Sequence, residues 1–191
     1  MLRDLVLKNR SYRGFDESRR ISREELLELV DLTRFTASSA NLQPLKYAIV
    51  YEKEQAERVL ALTRWAGALP QLALPYEGTH PVAFIAVCVD TDIAANVTPM
   101  LKDVGIAAQT ITLAAAEKDL GCCMIGSFNA EKLKEELGMA ANISPQLVIA
   151  LGKPAEKIVL TEAGPDGKTT YYRDEEGTHY VPKRKLEDIV L

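Results

Sequence analysis

Between Val104 and Ala116 the chain carries Ala, Ile, Val and Leu on every face of a helical wheel, with Gln109, Thr110 and Thr112 as the only polar interruptions after Gly105. A helix that is apolar almost all the way round cannot have water as its neighbour on any side. It must lie in a core or at an interface. Thr98 and Pro99 suit the N-cap and first turn, so the helix is expected to run to Leu120, with Gly121 as a left-handed stop. The tract is well short of a bilayer span, and no membrane crossing is expected.

The rest of the chain must clothe this helix. At 191 residues and 47% apolar content, a core needing neither disulfide nor metal can form, and one domain over residues 1–191 is expected. Ser22 followed by Glu25 makes a capping box opening a helix to about Phe35, after an amphipathic helix built on Leu2, Leu5 and Val6. Lys46–Tyr51 is β-prone, Glu54–Trp65 returns to helical spacing, and the nearly continuous apolar run Val82–Val89 predicts a central buried strand. Asn129–Leu137 reads as a short helix closed by Gly138, and Gln146–Leu151 as a second buried strand ending at Gly152. Beyond Pro154 the chain turns polar, with a hairpin expected where Tyr171–Arg173 and His179–Val181 flank Asp174–Gly177.

Charge and cysteine usage exclude some functions. The 23 basic and 27 acidic residues leave a net charge of −4, with no excess to neutralise a phosphate backbone, so no nucleic-acid partner is expected. Three cysteines, two of them adjacent at Cys122 and Cys123, make no disulfide framework, and a reduced, cytoplasmic protein is expected. Adjacent cysteines are strained disulfide partners, so neither is given a redox role. His80 and His179 have no second ligand at metal-binding spacing and are expected to be structural or surface residues, with no metal bound. Trp65, Tyr76 and Phe84 are expected in the core or lining a cavity.

Four segments carry candidate chemistry. Arg10-Ser11-Tyr12-Arg13 places two guanidinium groups and a hydroxyl within four residues, either a grip for phosphate or a solvated helix end. Ala37-Ser38-Ser39-Ala40-Asn41-Leu42-Gln43-Pro44 gathers hydroxyls and carboxamides in one loop, able to match the alternating donors and acceptors of a heterocycle or to satisfy its own turn. Gly121–Phe128 is an apolar run whose glycines allow close backbone approach to a flat ligand, or a bulge in a buried strand. Lys183-Arg184-Lys185 is a basic cluster that is either solvated or completes a phosphate site.

In this order and spacing the segments resemble the nitroreductase family over nearly the whole chain. Arg10, Ser11 and Arg13 match its Arg-Ser-x-Arg. Ser38, Asn41, Gln43 and Pro44 match its Pro-Ser-x-x-Asn-x-Gln-Pro loop. Met124–Phe128 resembles its Trp-Ile-Gly-x-Phe stretch, and Gly152–Pro154 its Gly-x-Pro strand end. Asn9, Ala37, Leu45 and Met124 replace residues common in the family pattern, and Glu162–Tyr180 has no counterpart in it.

The resemblance implies an α+β sandwich, with a mainly antiparallel sheet flanked by helices in an intertwined homodimer whose centre is the apolar helix. It implies FMN as cofactor. Arg10 and Ser11 would hold its phosphate with Lys183 or Arg184, and Arg13 would sit at the N1 and C2 carbonyl edge. Ser38, Ser39, Asn41 and Gln43 would contact flavin partly across the dimer, and the backbone of Ile125 and Gly126 would lie near N5. It further implies ping-pong oxidoreduction, with NADH or NADPH as donor and a nitroaromatic or quinone as acceptor, and no catalytic side chain beyond the flavin. A same-fold flavin reductase or enone reductase, and an FMN-binding protein without turnover, are the alternatives.

Overall fold

A computed structural model describes residues 1–191. Its central sheet is built on β5 (Ile143–Pro154), which pairs along one edge with β3 (Ala83–Asp90) and along the other, end to end, with β4 (Gly121–Ile125) and β1 (Phe15–Asp16). β2 (Leu45–Val50) closes the far side against β3, and every pairing is antiparallel. The expected α+β class with a mainly antiparallel sheet is what forms. All eight residues of β3 are buried, as a nearly unbroken apolar run requires of a strand covered on both faces.

The two faces of the sheet bury two apolar clusters. Ile85, Val87, Ile149 and Leu151 pack with Val104, Ala108, Ile111 and Ala115 of α4 (Leu101–Glu117) and with Leu26 and Leu29 of α2 (Arg23–Asp31). Phe84, Ala86, Val148 and Ala150 pack on the opposite side with Val59 of α3 (Lys53–Leu60) and Leu133 of α5 (Ala130–Glu136). The Ser22 capping box forms, and α2 continues as a 3-10 turn over Leu32–Phe35. A first helix, α1, spans Leu2–Lys8.

Two helix ends differ from expectation. Helix α4 stops at Glu117, and its left-handed residue is Asp119 (φ 59°) rather than Gly121. Gly121 instead opens β4 because a Cβ there would lie 2.5 Å from Cδ2 of Tyr12 and 2.8 Å from Cγ of Pro154. Helix α3 ends at Leu60 rather than near Trp65, since Thr63 bridges to Phe128 and Arg64 N–H donates to the Ser127 carbonyl at 2.8 Å. One face of α4, with Leu101, Gly105, Ile106 and Gln109, is exposed, so the helix is buried in the chain on one side only.

The tail forms a second sheet. β6 (Ile158–Glu162) runs parallel to β8 (His179–Lys183), which pairs antiparallel with β7 (Tyr172–Arg173) through the expected hairpin. No helix is long and apolar enough to cross a membrane.

Candidate functional site

The segment after α1 is held against β4. Tyr12 N–H donates to the Cys122 carbonyl at 2.9 Å, Ser11 bridges to Cys122, and Phe15 packs so closely on Gly152 that a Cβ there would sit 2.8 Å from its Cδ1. Gly121 and Gly152 are thus needed for close approach, and together they fix where Arg10, Ser11 and Arg13 point.

These three residues line a cavity of about 320 Å³ whose other walls come from Gln109 and Thr112 of α4, Cys122 and Met124 of β4, and Val181 and Lys183 of β8. Its volume is within the usual range of small-molecule sites. The cavity has unmet donors. Arg10 Nη2 donates to the Val6 carbonyl at 2.6 Å and Arg13 Nη1 to the Ser11 carbonyl at 3.0 Å, but the buried Nε of each guanidinium has no partner in the chain. Burial lowers the Arg10 pKa, with the nearby Tyr12 opposing the shift. Buried donors of this kind are matched by an anionic or carbonyl-bearing ligand. The residues therefore fit a group with a phosphate at one end and a polar ring edge at the other.

Of the remaining candidates, Lys183 belongs to this cavity, whereas Arg184 lines a separate depression with Glu162, Glu187 and Asp188. Ile125 is buried in β4 with the α3 and α5 cluster, neither it nor Gly126 lines the arginine cavity, and a Cβ on the exposed Gly126 would meet nothing within 4 Å, so no close approach within the chain demands glycine there. Ser38 and Gln43 line a different, smaller cavity of about 140 Å³ at the start of α4, and Ser39 and Asn41 also lie outside the arginine-lined one. One chain alone does not bring the two motifs together.

The Ser38–Gln43 loop is organised by a residue that motif reading missed. Asp103, buried in the first turn of α4, accepts from Ser38 Oγ at 2.6 Å, Ser39 N–H at 2.9 Å and Ser39 Oγ at 2.7 Å, while Gln43 N–H donates to Ser38 Oγ at 3.0 Å. Burial pushes the Asp103 carboxyl up, but the serine hydrogen bonds outweigh it and hold the group below its ordinary value. Ala40, Asn41 and Gln43 all have left-handed backbones, with φ of 51°, 54° and 52°. Such strain persists only where surrounding contacts enforce it. An aspartate early in an otherwise apolar helix was the available signal.

A second missed group lies on the tail. His179 and Tyr171 complete the cavity wall, with Glu156 behind them. His179 is fully buried, in line with the structural rather than the surface of its two expected roles. His80 pairs with Glu57 at 3.0 Å. The three thiols are free and buried, and burial pushes Cys88 up to about 12, Cys123 up to about 11 and Cys122 higher still. Those shifts disfavour the reactive thiolate. Trp65 and Phe84 pack in the core, while Tyr76 lines a separate depression with Arg173–Gly177.

Comparison with known proteins decides the lineage. The model of the nitroreductase family matches residues 6–77 and 78–153, about three quarters of the sequence. The chain belongs to the nitroreductase family. Membership brings with it the oxidoreductase class and FMN as cofactor. YodC of Bacillus subtilis (strain 168), which carries a provisional assignment as an NAD(P)H nitroreductase, is 24% identical over 176 residues, covering 78% of this chain and 87% of that protein. An FMN-dependent nitroreductase structure from Clostridium difficile R20291 superposes with a TM-score of 0.66 at 22% identity, covering 85% of this chain and 91% of its own. A nitroreductase family structure from Clostridium novyi NT does so with a TM-score of 0.67 at 19% identity, covering 100% and 99%, so its fold extends over the tail that lies beyond the family model.

Proposed function

We propose that this protein is an FMN-dependent oxidoreductase that takes hydride from NADH or NADPH and passes electrons to a small acceptor, such as a nitroaromatic or a quinone, in a ping-pong cycle. The observation that carries this reading is the cavity in which Arg10 and Arg13 hold buried, unpartnered Nε donors beside Ser11 and Lys183. Arg10, Ser11 and Lys183 bind the phosphate, with Lys183 preferred to Arg184 because only Lys183 lines this cavity. Arg13 holds the N1 and C2 carbonyl edge, where a cation stabilises the charge that reduction adds. FMN, when bound, would supply the hydride-accepting N5, and the backbone of Ile125 and Gly126, next to Met124 in the chain, would lie toward it. Met124, on the cavity wall and 37% exposed, limits what can reach the ring from β4.

The working unit is a homodimer of single-domain chains. Leu101 and Ile106 on the open face of α4, with Leu2, Val6 and Leu7 of α1, leave an apolar surface without a partner in the chain, and Gln109 of that face also lines the cavity. A second copy on this surface brings its own Ser38, Ser39, Asn41 and Gln43 toward the flavin, giving the strained loop a role that it lacks within one chain. The three free thiols accord with a cytoplasmic setting.

Anaerobic addition of NADH or NADPH to the FMN-loaded protein tests the reading. The flavin absorbance should bleach and return on addition of a nitroaromatic or quinone. An FMN-loaded protein that neither nicotinamide bleaches contradicts the proposed turnover and points to FMN binding without catalysis.

A further inference from the structure

Strand alternation turns His179, Val181 and Lys183 of β8 to one side, and all three line the arginine cavity. His179 and Lys183 are four residues apart, roughly 13 Å along a strand. Lys183 marks the proposed phosphate end, and His179 lies at the other, where Tyr171 stands between it and Arg13. The Arg13 guanidinium sits 4.6 Å over the Tyr171 ring, whose centroid is 5.2 Å from that of His179, and the Arg13 N–H donates to Glu156.

The imidazole is fully buried, and neither ring nitrogen has a hydrogen-bond partner in the chain. Its Nδ1 lies 3.9 Å from Glu156 Oε2, too far for a hydrogen bond but close enough to be oriented by the carboxylate. Glu156 is itself almost fully buried and ion-paired with Arg173 of β7. Burial pushes its carboxyl up, but His179, the Arg13 N–H and Arg173 together outweigh this and keep it ionised. The charged and titratable groups around the imidazole are therefore Glu156, Arg173, Tyr171 and Arg13, with Arg10 and Lys183 farther along the wall. Two idle nitrogens on a buried ring lining a cavity mark a ligand contact.

We propose that His179 binds the ring end of FMN beside Arg13 and that Glu156 is its positioning residue, so the tail sheet completes the flavin site within its own chain. This rests on the FMN reading above. As an imidazolium with its Nδ1–H toward Glu156, the ring presents Nε2–H to the ligand. When a nicotinamide gives up a hydride, it is oxidised, and the flavin gains that hydrogen with two electrons. The flavin's pyrimidine side then becomes more negative, and the Nε2–H of an imidazolium held by an anion favours that reduced form over the oxidised one.

The test compares wild-type protein with H179F and H179Q by titrating oxidised FMN and measuring the midpoint potential of the bound flavin. In H179F, oxidised FMN should bind about tenfold more weakly, the loss expected for one charge-assisted contact. Reduced FMN should lose about a further tenfold, seen as a potential about 30 mV more negative for this two-electron couple. H179Q restores a donor and should recover most of the oxidised-form affinity while keeping the lower potential. E156Q should weaken FMN binding more in the wild-type background than in H179F, where only its contact with the Arg13 N–H remains to be lost. Overturning results are a folded H179F, or a folded H179Q if H179F fails to fold, with wild-type affinity and potential. Wild-type protein that binds no FMN would instead remove the reading beneath the proposal, along with the proposal.

Discussion

Asp103 carries a carboxylate into the first turn of an apolar helix and is stabilised there by three hydrogen bonds from Ser38 and Ser39. Replacing it with Asn removes the charge and leaves one acceptor for three donors. D103N should cost about 2–3 kcal/mol in denaturant-midpoint stability and weaken FMN binding through the loosened loop. The sign of the pH effect follows from the direction of the shift. Asp103 and Glu156 both titrate below their ordinary values when folded, so their stabilisation is present above the ordinary carboxylate range and is lost as pH falls through their folded pKa values. Urea midpoints measured on acidification should therefore fall less steeply for D103N than for wild type. Arg10, Ser11 and Arg13 were legible in the sequence because their chemistry is concentrated in four consecutive residues. Asp103 and His179 were not, because Asp103 meets its partners 64 and 65 residues away and His179 acquires its meaning from Arg13 and Glu156 across a tertiary contact.

Elements whose signals are local were read well. The Ser22 capping box, the Asn129 cap and the Gly138 stop (φ 59°) bound helices where they were expected, and β3 formed from its apolar run. The misread ends have tertiary causes: α3 gives way to an extended stretch where Thr63 meets Phe128, and β6 was invisible because its parallel partner β8 lies about twenty residues farther along a half-exposed tail. Gly121 was read as a helix stop, but its real constraint is the Tyr12 ring. G121A should therefore cost about 1–3 kcal/mol in thermal or denaturant unfolding and weaken FMN binding by displacing the Arg10–Arg13 segment, even though alanine suits a strand no worse than glycine. Unchanged stability and FMN affinity in G121A would show that the Tyr12 contact does not position that segment.

For the whole molecule, the one-sided burial of α4 is the main unfinished business of the single chain. The all-round apolar pattern foretold a helix without a solvent face, yet Leu101 and Ile106 remain open in the single chain, the face that the proposed dimer would cover. I106E should shift the protein toward monomer in sedimentation velocity and lower FMN affinity, because in the proposed dimer it would separate the arginine cavity from the second copy's loop at residues 38–43. A dimer with unchanged FMN affinity would contradict that placement. The proposed cofactor site is the cavity of Arg10, Ser11, Arg13 and Lys183. Titration of flavin-free protein with FMN, followed by flavin fluorescence, tests it directly. Saturation at one FMN per chain and a marked loss of affinity in R10A and R13A are expected, whereas absence of binding, or binding indifferent to both substitutions, would rule that site out.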